Sequence, residues 1–365
     1  MAGKILVATG GGDCPGLNAV IRGIVKRVSQ EKNWEVIGCI ESFNGILKDN
    51  IELMPLTLKN VSGLHVKGGT IIKTTNRGGP FHFPVQLPDG TWTTEDRSGL
   101  MKERLQNMGI DAIINIGGDG SQRISLQLSE LGMNVVGVPK TIDNDLDCTD
   151  FTFGFQTAVQ IATEALDKLV TTAESHNRIF IMEVMGRDAG WIALHSAIAG
   201  GADVCLIPEI PYDPAKVAEK IATRYRDNEG FCNIVIAEGA MALDGKKTGN
   251  NPTSIGDPNF KFGGAGEKLK AELINAGVDH DIRVTVLGHL QRGGTPVAYD
   301  RIIATAFGVK AFEMVMNKEY NQMVVYRNTH FSTVPIRKAI EKPHLVDRND
   351  DLVHTARGLG MSFGD

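Results

Sequence analysis

Two short apolar runs in the sequence, at 112–114 and 135–138, each lead into a turn of glycines or carboxylates. Uninterrupted apolar runs of this length are typical of strands buried in a parallel sheet. The first run is followed by residues 115–121, with the sequence NIGGDGS, and the second by residues 139–145, with the sequence PKTIDND. Because ligands of open α/β sheets bind at the carboxyl ends of the strands, these two turns are the first candidates for a functional site.

The residue types in these turns suit phosphate chemistry. Gly117 and Gly118 have no side chains, so backbone N–H groups can approach a phosphate closely, and Asp119 offers the hard oxygen that Mg²⁺ prefers. Carboxylates so close to a phosphate loop, including Asp143 and Asp145, require a compensating cation or a proton to move. The two turns together suggest phosphoryl transfer.

Strands and helices are predicted to alternate along most of the chain. Further segments that we interpret as strands lie at 5–8, 35–40, 179–184, 204–207, 233–237 and 284–287. Such alternation is typical of a doubly wound, mainly parallel α/β sheet. Because 365 residues exceed what one hydrophobic core usually holds, we expect two domains. The polar, glycine-containing stretch at 243–266 is predicted to be a mobile loop.

Two other segments have the composition of anion-binding loops. Residues 9–16, TGGGDCPG, follow the first strand and precede a predicted helix, whose start can hold an anion. The third glycine is displaced from the dinucleotide fingerprint, and no GxxxxGK[ST] loop occurs. This segment is either a phosphate site or a tight turn without a ligand. Residues 67–80, which include Arg77, are either an anion-facing loop or a solvated hairpin.

Composition narrows the class of protein. The formal net charge of -5 argues against general affinity for nucleic acid, which requires a basic surface. The five cysteines form no CxxC pair, a pattern typical of reduced thiols inside the cell. The apolar part of the N-terminus is too short for a signal peptide, and no run approaches the roughly 18 apolar residues of a membrane span. We therefore expect a cytoplasmic protein without membrane or nucleic-acid partners.

Charged side chains are concentrated at the ends of the predicted strands. Those at or after carboxyl ends are Asp119, Asp143, Asp145, Arg187, Glu238, His289 and Arg292, while Arg178 and Arg283 lie at strand beginnings. An arginine side chain can form two parallel hydrogen bonds to a phosphate monoester. Taken alone, however, any one of these arginines is more often a surface ion-pair partner than a ligand contact. The set predicts two anions, a polyphosphate near Gly12 and Gly118 and a sugar phosphate near the arginines, with Asp143 between them.

Five segments together resemble the 6-phosphofructokinase family, and most closely its bacterial branch that contains ATP-dependent and pyrophosphate-dependent members. They are residues 11–19, 117–121, 139–145, 185–187 and 287–294, with the sequences GGDCPGLNA, GGDGS, PKTIDND, MGR and LGHLQRGG. They occur in the family's order and span nearly the whole chain. The resemblance implies two Rossmann-like, doubly wound domains with mainly parallel sheets and an active site in the cleft between them. Residues 1–154 and 291–341 would bind the phosphoryl donor, and residues 155–290 and 342–365 would bind fructose 6-phosphate.

The resemblance also implies a glycolytic kinase that transfers the γ-phosphoryl group of ATP, with Mg²⁺, to the 1-hydroxyl of fructose 6-phosphate. Asp143 would be the general base, Arg187 would stabilise charge in the transition state, and Thr141 and Asp145 would support the transferring group and its metal. The donor would be bound by Gly12, Arg77, Gly118, Asp119, Gly120, Ser121 and Lys140, with Asp119 also binding Mg²⁺. The sugar phosphate would be bound by Thr141, Ile142, Asp143, Met185, Gly186, Arg187, Glu238, His289 and Arg292. Arg178 and Arg283 would reach it from a neighbouring subunit of a homotetramer or homodimer.

The sequence leaves the phosphoryl donor open between ATP and pyrophosphate. Members of the family that use pyrophosphate usually carry an acidic residue where Gly120 stands and a lysine where Lys140 stands. This chain combines the small residue with the lysine. Gly120 leaves room for a nucleotide, whereas a lysine can coexist with one, so we expect ATP. The loop of Arg77 is one residue longer than in the common bacterial enzymes.

Two interpretations from other classes are weaker. An NAD or lipid kinase also carries a GGDG loop, but it has no use for the 141–145 run or for Arg187. A sugar-phosphate sensor without catalysis is expected to lack Asp119 or Asp143, and both are present.

Overall fold

The chain forms two compact units in a computed structural model, which describes residues 3–227, 230–243, 245 and 263–365. The first unit consists of Met1–Thr141, Leu146–Gln156 and Arg292–Pro343, and the second of Ile142–Asp145, Thr157–Gln291 and His344–Asp365. Most of the predicted loop at 243–266 lies outside the described residues.

The grouping of one short segment differs from the division expected from the sequence. Ile142–Asp145 was expected in the first domain, whereas the structure groups it with the second unit. Within that unit, the backbone N–H of His344 donates to the carbonyl of Asp145 at 2.9 Å. The turn after the second candidate strand is therefore held by residues that are distant in sequence.

Helices and strands alternate through both units. The strands are β1 (Gly3–Gly10), β2 (Trp34–Cys39), β3 (Leu53–Pro55), β4 (Phe83–Gln86), β5 (Trp92–Glu95), β6 (Ala112–Gly117), β7 (Val135–Thr141), β8 (Phe153–Gly154), β9 (Ile179–Val184), β10 (Val204–Leu206), β11 (Cys232–Ala237), β12 (Ile282–Val286), β13 (Gln322–Arg327) and β14 (His330–Pro335). The α-helices are α1 (Leu17–Val28), α2 (Asn44–Leu47), α3 (Ser98–Asn107), α4 (Asp119–Glu130), α5 (Phe155–His176), α6 (Trp191–Gly200), α7 (Pro214–Arg226), α8 (Ala265–Asn275), α9 (Ala298–Asn317), α10 (Ile336–Ala339) and α11 (Asp351–Gly358). Short 3₁₀ helices cover Leu64–Val66 and Gly288–Arg292.

The described part of the first unit contains an eight-stranded sheet. Its order is β14-β13-β7-β6-β1-β2-β3, with β8 paired to β7. The pairs formed by β1, β2, β6 and β7 are parallel, while β3 and β14 are antiparallel to their neighbours. After β1 the chain continues to β2 on one side and returns as β6 on the other. The strand order therefore reverses between β1 and β6, which is where open α/β sheets bind ligands.

The described part of the second unit contains a four-stranded parallel sheet in the order β10-β11-β9-β12. Here the order reverses around β9, and the ends of β9 and β11 are paired at Val184 and Ala237. The side chains that follow these two strands therefore meet at one edge of the sheet.

Burial explains why the apolar runs form strands. Every residue of β6, β7, β9 and β11 is buried, as in strands covered on both faces. Full burial of one large aliphatic side chain contributes about 1.5–3 kcal/mol. The predicted α/β fold with mainly parallel sheets is confirmed. Among the described helices, none combines the length and the apolar character needed to cross a membrane.

Strand β7 is longer than its apolar run indicates. Pairing of Lys140 and Thr141 with Phe153 and Gly154 of β8 extends β7 through Thr141. Pro139, Lys140 and Thr141 therefore lie in the strand, and the turn that carries Asp143 begins after Thr141.

Candidate active site

In the first unit, glycines lie at the carboxyl ends of the neighbouring strands β1 and β6. Gly10 and Gly117 are paired across these strands. A Cβ atom at Gly117 would overlap the side chain of Ser121, and one at Gly10 would lie 2.6 Å from the Ser121 hydroxyl. Close packing against Ser121 therefore requires both glycines. The buried Ser121, expected to bind the donor, supports the turn from α4.

Two cationic side chains lie against the first glycine turn. Lys140 is 4% exposed, and its ammonium donates to the carbonyl of Gly12 at 2.6 Å. The guanidinium of Arg292 donates to the carbonyl of Asp13 at 3.2 Å. Arg292 belongs to the first unit, although the sequence assigned it to the sugar phosphate. The turn at Gly12 therefore has the positive charge that a polyphosphate needs.

The turn also contains a buried thiol, Cys14. Its Sγ donates to the carbonyl of Phe153 at 3.6 Å. Complete burial raises the pKa of Cys14 well above its ordinary range, and the nearby Lys140 lowers it by less. A thiol held neutral in this way is not a nucleophile.

The segment of Arg77 packs on the same turn. The N–H of Gly11 donates to the carbonyl of Thr75 at 2.9 Å, and the hydroxyl of Thr74 donates to the carbonyl of Gly11 at 2.7 Å. The Arg77 side chain is exposed, and its backbone N–H is bound by the Thr75 hydroxyl at 3.0 Å. The segment is thus anchored to the glycine turn, as an anion-facing loop requires.

Asp119 is the first residue of α4. Its carboxylate is 46% exposed and forms an ion pair with Arg123, with 2.9 Å between Oδ2 and Nε. Among the described residues, no group of three or more histidine, cysteine, aspartate or glutamate side chains is arranged to hold a metal ion. An accessible single carboxylate fits Mg²⁺ in nucleotide sites, where most ligands come from phosphates and water.

Gly120, the second residue of α4, faces open space. Among the described residues beyond its chain neighbours and its own helix backbone, no atom lies within 4 Å of a Cβ atom built there, whereas one at Gly118 would lie 3.1 Å from the carbonyl of Lys140. In the described part of the chain, position 120 therefore has room for a side chain or a ligand beside it.

The turn with Asp143 follows directly on β7. Ile142 and Asn144 are buried, and Asp143 is 4% exposed. Asn144 has a φ of 54°, in the left-handed region that asparagine tolerates better than most residues. At the end of the strand, the Thr152 hydroxyl donates to the carbonyl of Thr141 at 2.8 Å. The carboxylate of Asp143 is therefore carried by a buried turn that follows directly on the strand.

The second unit brings together the residues that follow β9 and β11. The carboxylate of Glu238 accepts a hydrogen bond from the N–H of Arg187 at 3.2 Å. Gly239 is required here, because a Cβ atom at this position would overlap the carbonyl of Arg187. The N–H of Met185 donates to Oε1 of Gln291 at 2.8 Å. Gly186, with a φ of 147°, allows the backbone to turn between Met185 and Arg187.

Arg178 and Arg283 lie at the amino-terminal ends of strands in this sheet, opposite to the end that carries Arg187. Arg178 precedes β9 and Arg283 is the second residue of β12, whereas Arg187 follows the other end of β9. A six-residue strand spans about 20 Å, so the two groups are separated by the length of β9. Within one chain, these arginines and Arg187 therefore lie at opposite ends of β9.

Arg178 and Arg283 both pair with the carboxylate of Asp281, which was not predicted from the sequence. The Nε atoms of Arg178 and Arg283 lie 2.6 Å and 3.0 Å from the carboxylate of Asp281. The hydrogen bond from Arg283 lowers the pKa of Asp281, and that from Arg178 lowers it further. Asp281 therefore stays ionised and holds the two guanidinium groups side by side.

Several predicted site residues are thus brought together within their own units, and others are not. His289 is exposed in the 3₁₀ helix Gly288–Arg292. Gln291, which is fully buried and holds Met185, was missed because a buried amide has no signal of its own in the sequence.

Comparison with known proteins shows to which family the chain belongs. The family described as Phosphofructokinase matches residues 4–315 of the chain. The chain belongs to the phosphofructokinase family. The interpretation of its GGDG loop as part of an NAD or lipid kinase is therefore set aside.

Similar proteins extend over nearly the whole length. The chain is 45% identical over 362 residues to "ATP-dependent 6-phosphofructokinase 2" of Clostridium perfringens, covering 99% of this chain and 98% of that protein. It is 46% identical, with the same coverage, to "ATP-dependent 6-phosphofructokinase" of Chloroflexus aurantiacus. It is 43% identical to "Pyrophosphate--fructose 6-phosphate 1-phosphotransferase" of Streptomyces coelicolor, covering 94% of this chain and 96% of that one.

A solved structure supports the same relationship. Phosphofructokinase of Pichia pastoris in the T-state aligns with a TM-score of 0.75 and 28% identity, covering 98% of this chain and 36% of that one. The substrates of the family are a phosphoryl donor, ATP or pyrophosphate, and fructose 6-phosphate.

Proposed function

We propose that this phosphofructokinase is ATP-dependent and transfers the γ-phosphoryl group of ATP to the 1-hydroxyl of fructose 6-phosphate. The position of Asp143 carries the proposal. Its turn continues directly from β7, which carries Lys140 and Thr141, and is grouped with the unit that carries Arg187. One buried carboxylate thus connects, along the chain, the residues suited to a polyphosphate with those suited to a sugar phosphate.

On the donor side, the anion would bind where α4 begins and the glycine turn carries positive charge. The N-terminus of α4 presents unpaired N–H groups and the positive end of the helix dipole. Lys140, held against Gly12, adds a charge close to this turn. Backbone at Gly12 and at Gly118 to Ser121, together with Arg77, would complete the donor site.

Magnesium is proposed as the metal, with Asp119 as its protein ligand. The exposed carboxylate can turn from Arg123 to a metal-bound donor at small cost, because surface ion pairs contribute only about 0–1 kcal/mol. When bound, Mg²⁺ neutralises charge on the phosphates.

On the sugar side, Asp143 would accept the proton of the 1-hydroxyl. The oxygen of that hydroxyl would at the same time form a bond to the γ-phosphorus of ATP. The bond between this phosphorus and the bridging oxygen then breaks, and ADP leaves. Arg187 would stabilise the negative charge that spreads over the transferring group, with Thr141 and Asp145 supporting it. Met185, Gly186, Glu238, His289 and Arg292 would bind the sugar phosphate, and Ile142 would contribute backbone. Such a reaction depends mainly on positioning and charge.

The choice of ATP over pyrophosphate is supported by two observations. Position 120 offers unoccupied space where a carboxylate would exclude a nucleotide. The relatives with 45% and 46% identity carry ATP in their names. The alternative, a pyrophosphate-dependent phosphotransferase, is favoured by the buried Lys140 and by the name of the Streptomyces coelicolor relative.

A donor assay separates the two. Pure protein is incubated with fructose 6-phosphate and Mg²⁺ and with either ATP or pyrophosphate, and fructose 1,6-bisphosphate is measured. We expect product with ATP and at least about 100-fold lower kcat/KM with pyrophosphate, which corresponds to roughly 2.7 kcal/mol. Turnover with pyrophosphate alone would favour the alternative, and no product with either donor would contradict the kinase function.

We also propose that the active sites are shared between subunits of a homodimer or homotetramer. The separation of Arg178 and Arg283 from Arg187 by the length of β9 supports this, because arginines at opposite ends of a strand would reach one sugar phosphate from different subunits. Mixing Asp143→Asn subunits with Arg283→Ala subunits tests it. A mixed pair contains one site with both native residues, so random reassociation restores about a quarter of the wild-type activity. Sites contained within one chain would show no recovery.

A further inference from the structure

His344 makes two hydrogen bonds to the turn that carries Asp143. Its backbone N–H donates to the carbonyl of Asp145, and its ring Nδ1 lies 2.9 Å from the carbonyl of Asn144. A carbonyl oxygen only accepts hydrogen bonds, so Nδ1 must carry a proton. One residue, 200 positions away in sequence, therefore binds two consecutive carbonyls of the turn.

The backbone at this point depends on outside support. Asn144 has a φ of 54°, and the turn leaves the regular pairing of β7 after Thr141. Left-handed residues outside glycine persist where the surrounding structure holds them in place. The hydrogen bonds from His344 provide such support next to Asp143.

His344 is itself fixed by a tryptophan. The indole N–H of Trp191 donates to the carbonyl of His344 at 2.9 Å, and the two rings stack with 4.8 Å between centroids and 27° between planes. Trp191 is 7% exposed and is the first residue of α6, which follows directly on the loop of Met185 to Gly190. The support of the Asp143 turn is thus connected to the loop that carries Arg187.

The partly buried carboxylate of Glu209 holds the same segment two residues later. Oε1 of Glu209 accepts hydrogen bonds from the N–H groups of Val346 and Gly190, both at 2.9 Å. The segment His344–Val346 is therefore attached to the beginning of α6 at two points.

We propose that His344 is a positioning residue for catalysis, which holds the turn of Asp143 in a fixed relation to the loop of Arg187. The inference rests on the proposed function, in which these two residues act on the same substrate. Loss of the Nδ1–H donor lets the Asn144 carbonyl move and displaces the carboxylate of Asp143. Displacements of about 1 Å can reduce a reaction rate by roughly 100-fold.

Two variants at position 344 separate the hydrogen bond from the ring stacking. His344→Phe keeps a ring to stack on Trp191 and removes the donor. His344→Asn removes the stacking and keeps an N–H at the place of Nδ1. We expect His344→Phe to lower kcat about 10-fold with each KM within about twofold of wild type, and His344→Asn to recover most of kcat. The matched control is His354→Phe, at an exposed histidine of α11, with wild-type kcat.

Amide hydrogen exchange supplies a readout that does not depend on activity. The peptide that covers 142–147 is expected to exchange faster in His344→Phe than in wild type and in His344→Asn. If His344→Phe does not fold, Trp191→Phe replaces it with the same two measurements, because it removes the indole N–H that holds His344 and part of the stacked ring.

Three outcomes overturn the inference: unchanged kcat in the folded variant that lacks the donor, equal loss in His344→Phe and His344→Asn, or unchanged exchange of 142–147. A wild-type protein that makes no fructose 1,6-bisphosphate overturns the proposed function instead, and the exchange data still decide whether His344 holds the turn.

Discussion

Replacement of Gly120 by aspartate tests the donor specificity with little risk to the fold. A Cβ atom at position 120 meets no atom within 4 Å. Glycine inside a helix costs about 0.5–1 kcal/mol relative to alanine, and an acidic residue in the first turn gains about 0.3–1 kcal/mol from the helix dipole. Gly120→Ala and Gly120→Asp are therefore expected to be as stable as wild type or slightly more stable. In contrast, Gly117→Ala collides with Ser121 and should be destabilised.

The expected loss of ATP use follows from charge and space. Two unit charges about 5 Å apart repel by about 0.8 kcal/mol in water and about 3.3 kcal/mol at the effective dielectric constant of a partly buried site. A carboxylate beside an ATP phosphate should thus raise the KM for ATP by between about 4-fold and about 250-fold, before steric exclusion is added. Gly120→Asn, of the same size and without charge, measures the steric part alone.

The assay is ATP saturation at fixed fructose 6-phosphate and Mg²⁺, with thermal unfolding of each variant in parallel. We expect KM for ATP to rise in the order alanine, asparagine, aspartate, with alanine close to wild type. An unchanged KM for ATP in folded Gly120→Asp would refute the argument that position 120 faces the nucleotide. A Gly120→Ala protein that unfolds at lower temperature than wild type would refute the claim that this position is open.

Three other predictions concern the base, the thiols and pH. Asp143→Asn should lower kcat by roughly 10²–10⁴-fold with folding unchanged, in steady-state assays. A thiol reagent should modify at most Cys148 in the native protein and all five cysteines in denaturant, because burial shields the other four and raises their pKa values. A hydrogen bond from Arg357 lowers the pKa of Asp365, so this pair stabilises the fold above the ordinary pKa of aspartate and less as pH falls. Urea unfolding of Arg357→Gln should depend less on acid than that of wild type.

The sequence by itself determined the fold class and the places where chemistry is possible. Mainly apolar segments such as 179–184 and 233–237 became strands with every residue buried, because both faces of these strands are covered. That the residues after these segments lie close together was predictable, since the carboxyl ends of neighbouring parallel strands lie at the same end of the sheet. The five motifs also identified the family, because each one is contiguous in the chain and can be recognised without the structure.

Only the tertiary structure decided how these pieces are held. Nothing in the local sequence indicates that Ser121 requires Gly117, that Gln291 binds the backbone of Met185, or that Asp281 joins two arginines. His344 is 200 residues from the carbonyl that its ring contacts. The periodicity of a sequence reports which face of an element is buried, but it carries no information about which distant residue satisfies a buried polar group. That choice is made when the chain folds, because each buried carbonyl or N–H must find a partner wherever the fold provides one.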